Sequence, residues 1–165
     1  MPVVFRLAKK RHPVYDPAGA VKVGGRWSSP SLPVIYAAEH YATAILEILV
    51  HYGRVALPEA HHARPIFIPD DLRVERFDPA TYPTWHEEGS EEARAYGNTW
   101  FAEQRTAVLL VPSVVGQPAE WNVLINTVHP EANRIQPLRE FDVTWDGRLF
   151  GPPPERVTLE PPLRK

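Results

Sequence analysis

Apolar residues in this chain fall in short runs cut by proline and glycine, with one long exception. Val3-Val4-Phe5-Arg6-Leu7 is β-rich and predicts a strand, as does Val34-Ile35-Tyr36 behind Pro33. The exception covers residues 37–52, which hold neither Pro nor Gly. There Tyr41, Ala44, Ile45, Ile48, Leu49 and Tyr52 recur at i, i+3, i+4, i+7, i+8 and i+11, one face of a helix. Gly53 stands where a left-handed C-terminal residue belongs. Leu46 and Val50 make much of the opposite side apolar too, so this helix is expected to be buried nearly all round. Its polar residues form a line, His40, Thr43, Glu47 and His51, that must then face partners or a cavity.

The remaining pattern predicts strands over 54–57, 63–68, 107–111, 121–126 and 140–145. It predicts loops over 9–25 and 70–90, and a second helix within 91–105, interrupted or restarted near Gly97. Short strands with two helices make an α+β fold, a single compact domain over 1–150. A Pro-rich C-terminal tail, expected to be extended, follows over 151–165.

Composition narrows the function classes. At 165 residues, with 44% hydrophobic and 23% charged residues, the chain can bury one sizeable core. Its 19 prolines argue against a bundle of long helices. A formal net charge of −2 excludes a strongly basic nucleic-acid binder as the default. No apolar run approaches the roughly 18 residues needed to span a bilayer, and the N-terminal segment lacks the form of a signal peptide. With no cysteine there is no disulfide, zinc–thiolate site or Cys nucleophile, and a reducing cytoplasm is the expected compartment.

Several residues could carry chemistry. Glu47 on a buried helix is costly unless paired. It is either half of a structural ion pair with an Arg, or a carboxylate held in a cleft as base or charge stabiliser. His51, one helical turn on, could orient it or touch a ligand. Metal binding by this pair is disfavoured, because HExxH is missing and no third ligand stands out, so no metal is expected. His61-His62 reads as solvated and His129 as a turn residue. In Gly24-Gly25-Arg26-Trp27 the glycines allow close backbone approach, and Arg26 could grip an anion or pair with a carboxylate. The spacing is neither a Walker loop nor a dinucleotide fingerprint. Ser113 ends an apolar strand without a GxSxG elbow, which leaves it a turn former or a donor into a cleft.

Taken in order, Phe5-Arg6, Gly-Gly-Arg26-Trp, Val-Ile-Tyr36-Ala-Ala, Leu-Glu47, Val-Pro-Ser113 and Asn-Val-Leu-Ile-Asn126-x-x-His-Pro resemble the RES domain. Ser28-Ser29-Pro30-Ser31 replaces the family's usual Asn-x-x-Gly, and Asn126-Thr127-Val128-His129-Pro130 replaces Asn-Pro-x-His-Pro. The resemblance implies a toxin of a bacterial toxin–antitoxin module, growth-inhibiting, with an Xre-like helix-turn-helix antitoxin as partner. It implies a fold similar to ADP-ribosyltransferase toxins and consumption of NAD⁺, with ADP-ribose passed to water, phosphate or a protein side chain. Carried over as catalytic are Glu47, Arg26 and Ser113; as NAD-binding, Arg6, Arg26, Tyr36, His51, Ser113 and Asn126. NAD⁺ is then a co-substrate, with no metal, no direct nucleic-acid partner and no membrane. A homodimer and a protein target are left open. The rival reading is a non-catalytic nucleotide-binding or protein-interaction domain using the same Arg-lined cleft.

Overall fold

The strand predicted at 121–126 forms the spine of the sheet, and its neighbours explain the rest. The computed structural model describes residues 3–52 and 59–150. The predicted strand at 54–57, Gly53 and the tail lie outside the described residues. Among the described residues the strands are β1 (Val3–Lys9), β2 (Val34–Ala38), β3 (His61–Phe67), β4 (Val74–Arg76), β5 (Val108–Pro112), β6 (Trp121–Asn126), β7 (Gln136–Pro137) and β8 (Phe141–Asp142). They form one sheet in the order β4-β5-β6-β2-β1-β3-β7, and β8 also pairs with β3. Only β4–β5 is parallel. The helices are α1 (Ala18–Val23), α2 (Tyr41–Tyr52) and α3 (Glu91–Ala102).

Alternation along the strands splits the core in two. Val4, Ile35, Ala37, Val108, Val123 and Ile125 belong to one buried cluster. Val34, Leu109, Val111 and Leu124, one residue out of step, join Trp27, Phe77, Trp85 and Trp100 in the other. The aromatic cluster is tied by ring contacts, with Trp27 edge-on to Phe77 at 4.6 Å and Phe77 edge-on to Tyr96 at 4.8 Å. Fully buried Trp100 gives its indole N–H to Thr106 at 2.9 Å, so its polar tip is satisfied.

The ladder is uneven. β1 pairs with β3 over seven residues and β2 with β6 over five, but β1 and β2 share the single pair Phe5↔Ala38. The Arg6 side chain reaches into this loosened seam. Its guanidinium donates to the carbonyls of Val14 (2.6 Å), Tyr36 (2.9 Å) and Asp16 (3.1 Å). Burial lowers the Arg6 pKa, and the Asp16 charge opposes the shift.

The structure corrects several sequence expectations. The helix starts at Tyr41, because Ala37 and Ala38 extend β2 by pairing with Val123 and Asn122. It is not buried all round: Leu46 is 44% and Val50 59% exposed. α3 runs through Gly97 without interruption. The region read as loop at 70–90 contains β4, and the one at 9–25 contains α1. His61 is buried in β3, its Nδ1 2.5 Å from the Glu59 carbonyl and its ring edge-on to Trp145. The strand expected over 140–145 is reduced to the two residues of β8. His129 does serve as a turn residue, capping the 3-10 turn at Pro130–Arg134 by accepting from the Glu131 N–H. No helix among the described residues is long and apolar enough to cross a membrane.

Candidate active site

Glu47 sits midway along α2, and α2 follows β2 after two residues. The β2–β6 register places Asn122 opposite Ala38, at the end of the sheet where α2 begins. The β5–β6 register places Ser113 next to it, just beyond Pro112, the partner of Trp121. Both side chains converge on one carboxylate oxygen. Ser113 Oγ donates to Glu47 Oε1 at 2.8 Å, and Asn122 Nδ2 donates to the same atom at 2.5 Å. Ser113 is fully buried, and its oxygen accepts the Gly116 N–H at 3.2 Å. Glu47 pairs with no Arg among the described residues, and its half-buried carboxylate is oriented there by two neutral donors. The fixed Oε1 leaves Oε2 without a protein donor among the described residues. Such a carboxylate can stabilise a developing positive charge or accept a proton.

The polar line on α2 does meet partners, with one exception. Thr43 Oγ1 donates to Glu120 Oε2 at 2.5 Å, and His40 Nδ1 lies 2.8 Å from the same oxygen. These bonds hold the Glu120 pKa below the usual carboxylate range, Thr43 contributing most. The exception is His51, which is exposed and bonded neither to Glu47 nor to any other described residue. The orienting of Glu47 expected of His51 is done by Asn122 and Ser113.

Asn122, Leu124 and Tyr36 share one face of the sheet, since Tyr36 pairs with Leu124 two positions from Asn122. Tyr36 reaches from that face to the Gly24–Ser28 turn. Its hydroxyl lies 2.8 Å from Ser28 Oγ and accepts the Trp27 N–H at 3.3 Å. A Cβ on Gly25 would stand 2.6 Å from that hydroxyl, so the second glycine of the motif makes room for it. Burial raises the Tyr36 pKa, offset in part by the Ser28 and Trp27 hydrogen bonds and then by the charge of Arg94.

Arg26 leaves this turn toward the segment before α3. One of its terminal nitrogens donates to the carbonyls of Trp85 (3.1 Å) and Glu87. No carboxylate among the described residues pairs with it, so the guanidinium is held by neutral groups and keeps further N–H groups for a ligand. Arg6, by contrast, uses three N–H groups within the fold. Asn126 is not brought to Glu47 at all. It pairs with Val34 at the opposite end of β6 from Asn122, and its Oδ1 accepts the Val128 N–H at 3.2 Å. Among the described residues no group of three His, Cys, Asp or Glu side chains is placed to hold a metal ion.

Asn122 is the site residue that sequence reasoning missed. Its removal is expected to act on turnover rather than on folding, because it is half-buried and its other amide atom has no partner. In Asn122→Ala, kcat for the reaction proposed below should fall about 10- to 100-fold, the scale of a hydrogen bond to a charged group. KM and the melting temperature should change little. A kcat within twofold of wild type would remove Asn122 from the site.

Comparison with known proteins gives the family and the fold. The family model described as the RES domain matches residues 3–146. A protein of Sphingobium sp. (strain YBL2) named Prs ADP-ribosylating toxin is 37% identical over 137 residues, 81% of this chain and 84% of that one. Toxin Res of Pseudomonas putida KT2440 is 34% identical over 134 residues, 80% of this chain and 90% of that one. Among solved structures, the M. tuberculosis MbcT–MbcA toxin–antitoxin complex contains a chain that superposes with a TM-score of 0.72. The match covers 87% of this chain and 84% of that one at 18% identity, which establishes a common α+β fold. With the family model matching almost every described residue and two relatives above 30% identity, the chain belongs to the RES domain family.

Proposed function

We propose that this protein is the toxin of a toxin–antitoxin pair, held in check by an Xre-like antitoxin, and that it cleaves the nicotinamide–ribose bond of NAD⁺. The observation that carries the reading is Glu47, fixed through one oxygen by Ser113 and Asn122 on the sheet face that also bears the Arg26 turn. Family membership and the ADP-ribosylating relative support it.

The chemistry follows from the charges. The bond between ribose C1′ and the nicotinamide nitrogen breaks with its electron pair going to nitrogen, so a cationic ring departs as neutral nicotinamide. Positive charge is left on C1′ and the ribose ring oxygen. The Glu47 carboxylate stabilises that oxocarbenium-like state, by the logic of glycoside hydrolysis. An acceptor oxygen from water, phosphate or a protein side chain then bonds to C1′ and gives up its proton, with Glu47 as the nearby base. Arg26 grips the pyrophosphate with a planar fork that suits two oxygens at once.

Pure protein incubated with NAD⁺ should release nicotinamide, and an excess of the cognate antitoxin should suppress the release. Labelled NAD⁺ added to a lysate then separates the acceptors: a discrete labelled band means protein transfer, and label in small molecules alone means degradation. If no nicotinamide is released and no label transferred, the non-catalytic reading prevails. Arg26→Lys, which keeps the charge but loses the fork, should weaken ADP-ribose binding about tenfold in a calorimetric titration. Unchanged affinity would confine Arg26 to bracing the 85–87 carbonyls.

A further inference from the structure

A second arginine, which no motif singled out, stands beside the Arg26 turn. Arg94 is the fourth residue of α3, and its position is fixed by the contacts on either side of it. One turn later in the helix, Gly97 packs directly on the Trp27 carbonyl, and Asn98 accepts the Ser29 N–H at 2.9 Å. One turn earlier, Ser90 donates its N–H to the carbonyl of Glu87, which also receives Arg26. Residues 94, 97 and 98 share one helix face. Stepping back along that face from the Trp27 and Ser29 contacts leads to the Arg26 side of the turn. The influence of the Arg94 charge on the Tyr36 hydroxyl, itself bonded to Trp27 and Ser28, agrees with that placement.

Arg94 is exposed and pairs with no carboxylate among the described residues. Glu87, Glu88 and Glu91 are exposed nearby and pair with neither arginine. Two guanidinium groups, one tethered by carbonyls and one paired with no described carboxylate, therefore stand beside a single turn. Like charges so placed repel each other weakly in water, and an anion bound between them relieves the repulsion. A single phosphate satisfies one fork, whereas two linked phosphates satisfy both.

We infer that Arg94 is a second phosphate-contacting residue, and that a diphosphate is held between Arg26 of the turn and Arg94 of α3. This deepens the NAD⁺ reading and rests on it. The chemical class recognised is a nucleoside diphosphate ester, with α3 supplying a selectivity for two phosphates over one.

The test uses the full chain and ADP-ribose, which the reaction does not consume. Arg94→Gln should raise the ADP-ribose Kd about tenfold and KM for NAD⁺ by a similar factor, with kcat within about twofold. Affinity for nicotinamide mononucleotide, with one phosphate, should fall by a smaller factor, and Arg94→Lys should restore part of the loss. Arg139→Gln makes the same charge change between β7 and β8 at the far edge of the sheet and should leave all of these values unchanged. Arg94 is exposed, so the variant should melt with wild type. If wild type binds ADP-ribose and cleaves NAD⁺ while Arg94→Gln is indistinguishable from it, the inference falls and the NAD⁺ reading stands. An equal loss for one and two phosphates would also overturn it, reducing Arg94 to a diffuse charge. If wild type neither binds ADP-ribose nor releases nicotinamide, both readings fall together.

Discussion

A Glu47→Gln protein is expected to fold like wild type and to lose NAD⁺ cleavage by a factor on the order of 10³ or more. The fold survives because the glutamine carbonyl can occupy the place of Oε1 and still accept from Ser113 Oγ and Asn122 Nδ2. Its amide replaces Oε2, which no described residue holds. What disappears is the negative charge facing C1′ as the nicotinamide leaves, and with it the base that would take the acceptor's proton. A thousandfold loss corresponds to about 4 kcal/mol of barrier, a normal scale for one preorganised electrostatic group in a site shielded from water. The measurement pairs nicotinamide release with a thermal melt. Growth arrest on expression should disappear in the same variant. Turnover near the wild-type rate in a folded Glu47→Gln protein would move the chemistry elsewhere.

Gly97→Ala should do to the structure what Glu47→Gln does to the chemistry. Away from contacts, alanine in place of a helical glycine gains roughly 1 kcal/mol. At position 97 the new methyl group lands on the Trp27 carbonyl oxygen, a backbone atom that cannot rotate away. α3 must lift, or the 24–28 turn must shift, and either movement disturbs the aromatic cluster around Trp27, Phe77 and Trp100. The expected net loss is about 2–3 kcal/mol, within the range for overpacking a core. For a domain of this size that lowers the melting temperature by roughly 4–12 °C. ADP-ribose affinity should fall as well, because Arg26 rides on the displaced turn. Gly19→Ala is the control: a Cβ there meets nothing within 4 Å, so it should be neutral or slightly stabilising. Equal melting temperatures for the two variants would show that the turn yields without cost.

Much of this arrangement was legible in the chain, and the misses share a cause. β6 was readable because six residues of mixed apolar pattern lie between clear turn signals, and its predicted bounds match those found. Glu47 stood out because a carboxylate on an apolar helix demands a partner. Ser113 read as a turn former or a donor into a cleft, and only the resemblance carried it over as catalytic, since a serine at a strand end carries little signal alone. Asn122 and Asn126 are four apart, so alternation puts both on one face and cannot rank them. The register Ala38↔Asn122 decides which one lies beside α2, and register is a long-range property. Ala37 and Ala38 show the same limit from the other side. Alanine favours helix locally, but pairing with β6 holds both residues extended, and tertiary contact prevails over propensity. Gly97 looked like a break in a helix because its real reason, the Trp27 backbone, lies 70 positions away in the chain. Arg94 was invisible for a related reason: it belongs to no motif, and only the packing of α3 on the turn singles it out.

The single pair joining β1 to β2 gives the sheet two leaves. β4, β5, β6 and β2 form one; β1, β3, β7 and β8 form the other. Within each leaf several ladder bonds must break together, whereas the backbone ladder across the seam is reduced to the pair Phe5↔Ala38, with the Arg6 bond to the Tyr36 carbonyl beside it. Backbone amides in the two leaves should therefore open to deuterium as separate cooperative groups, with different protection. The seam runs alongside the strand that bears Tyr36, and Glu47 lies on the helix that follows that strand. Ser113 and Asn122, which hold Glu47, lie beside β5 and on β6, and the turn hangs on Tyr36 of β2, so the donors of the carboxylate and the anchor of the turn share the first leaf. Arg6, named by motif as a ligand contact, adds one side-chain bond across the seam, to the Tyr36 carbonyl, and two to the loop that follows its own strand.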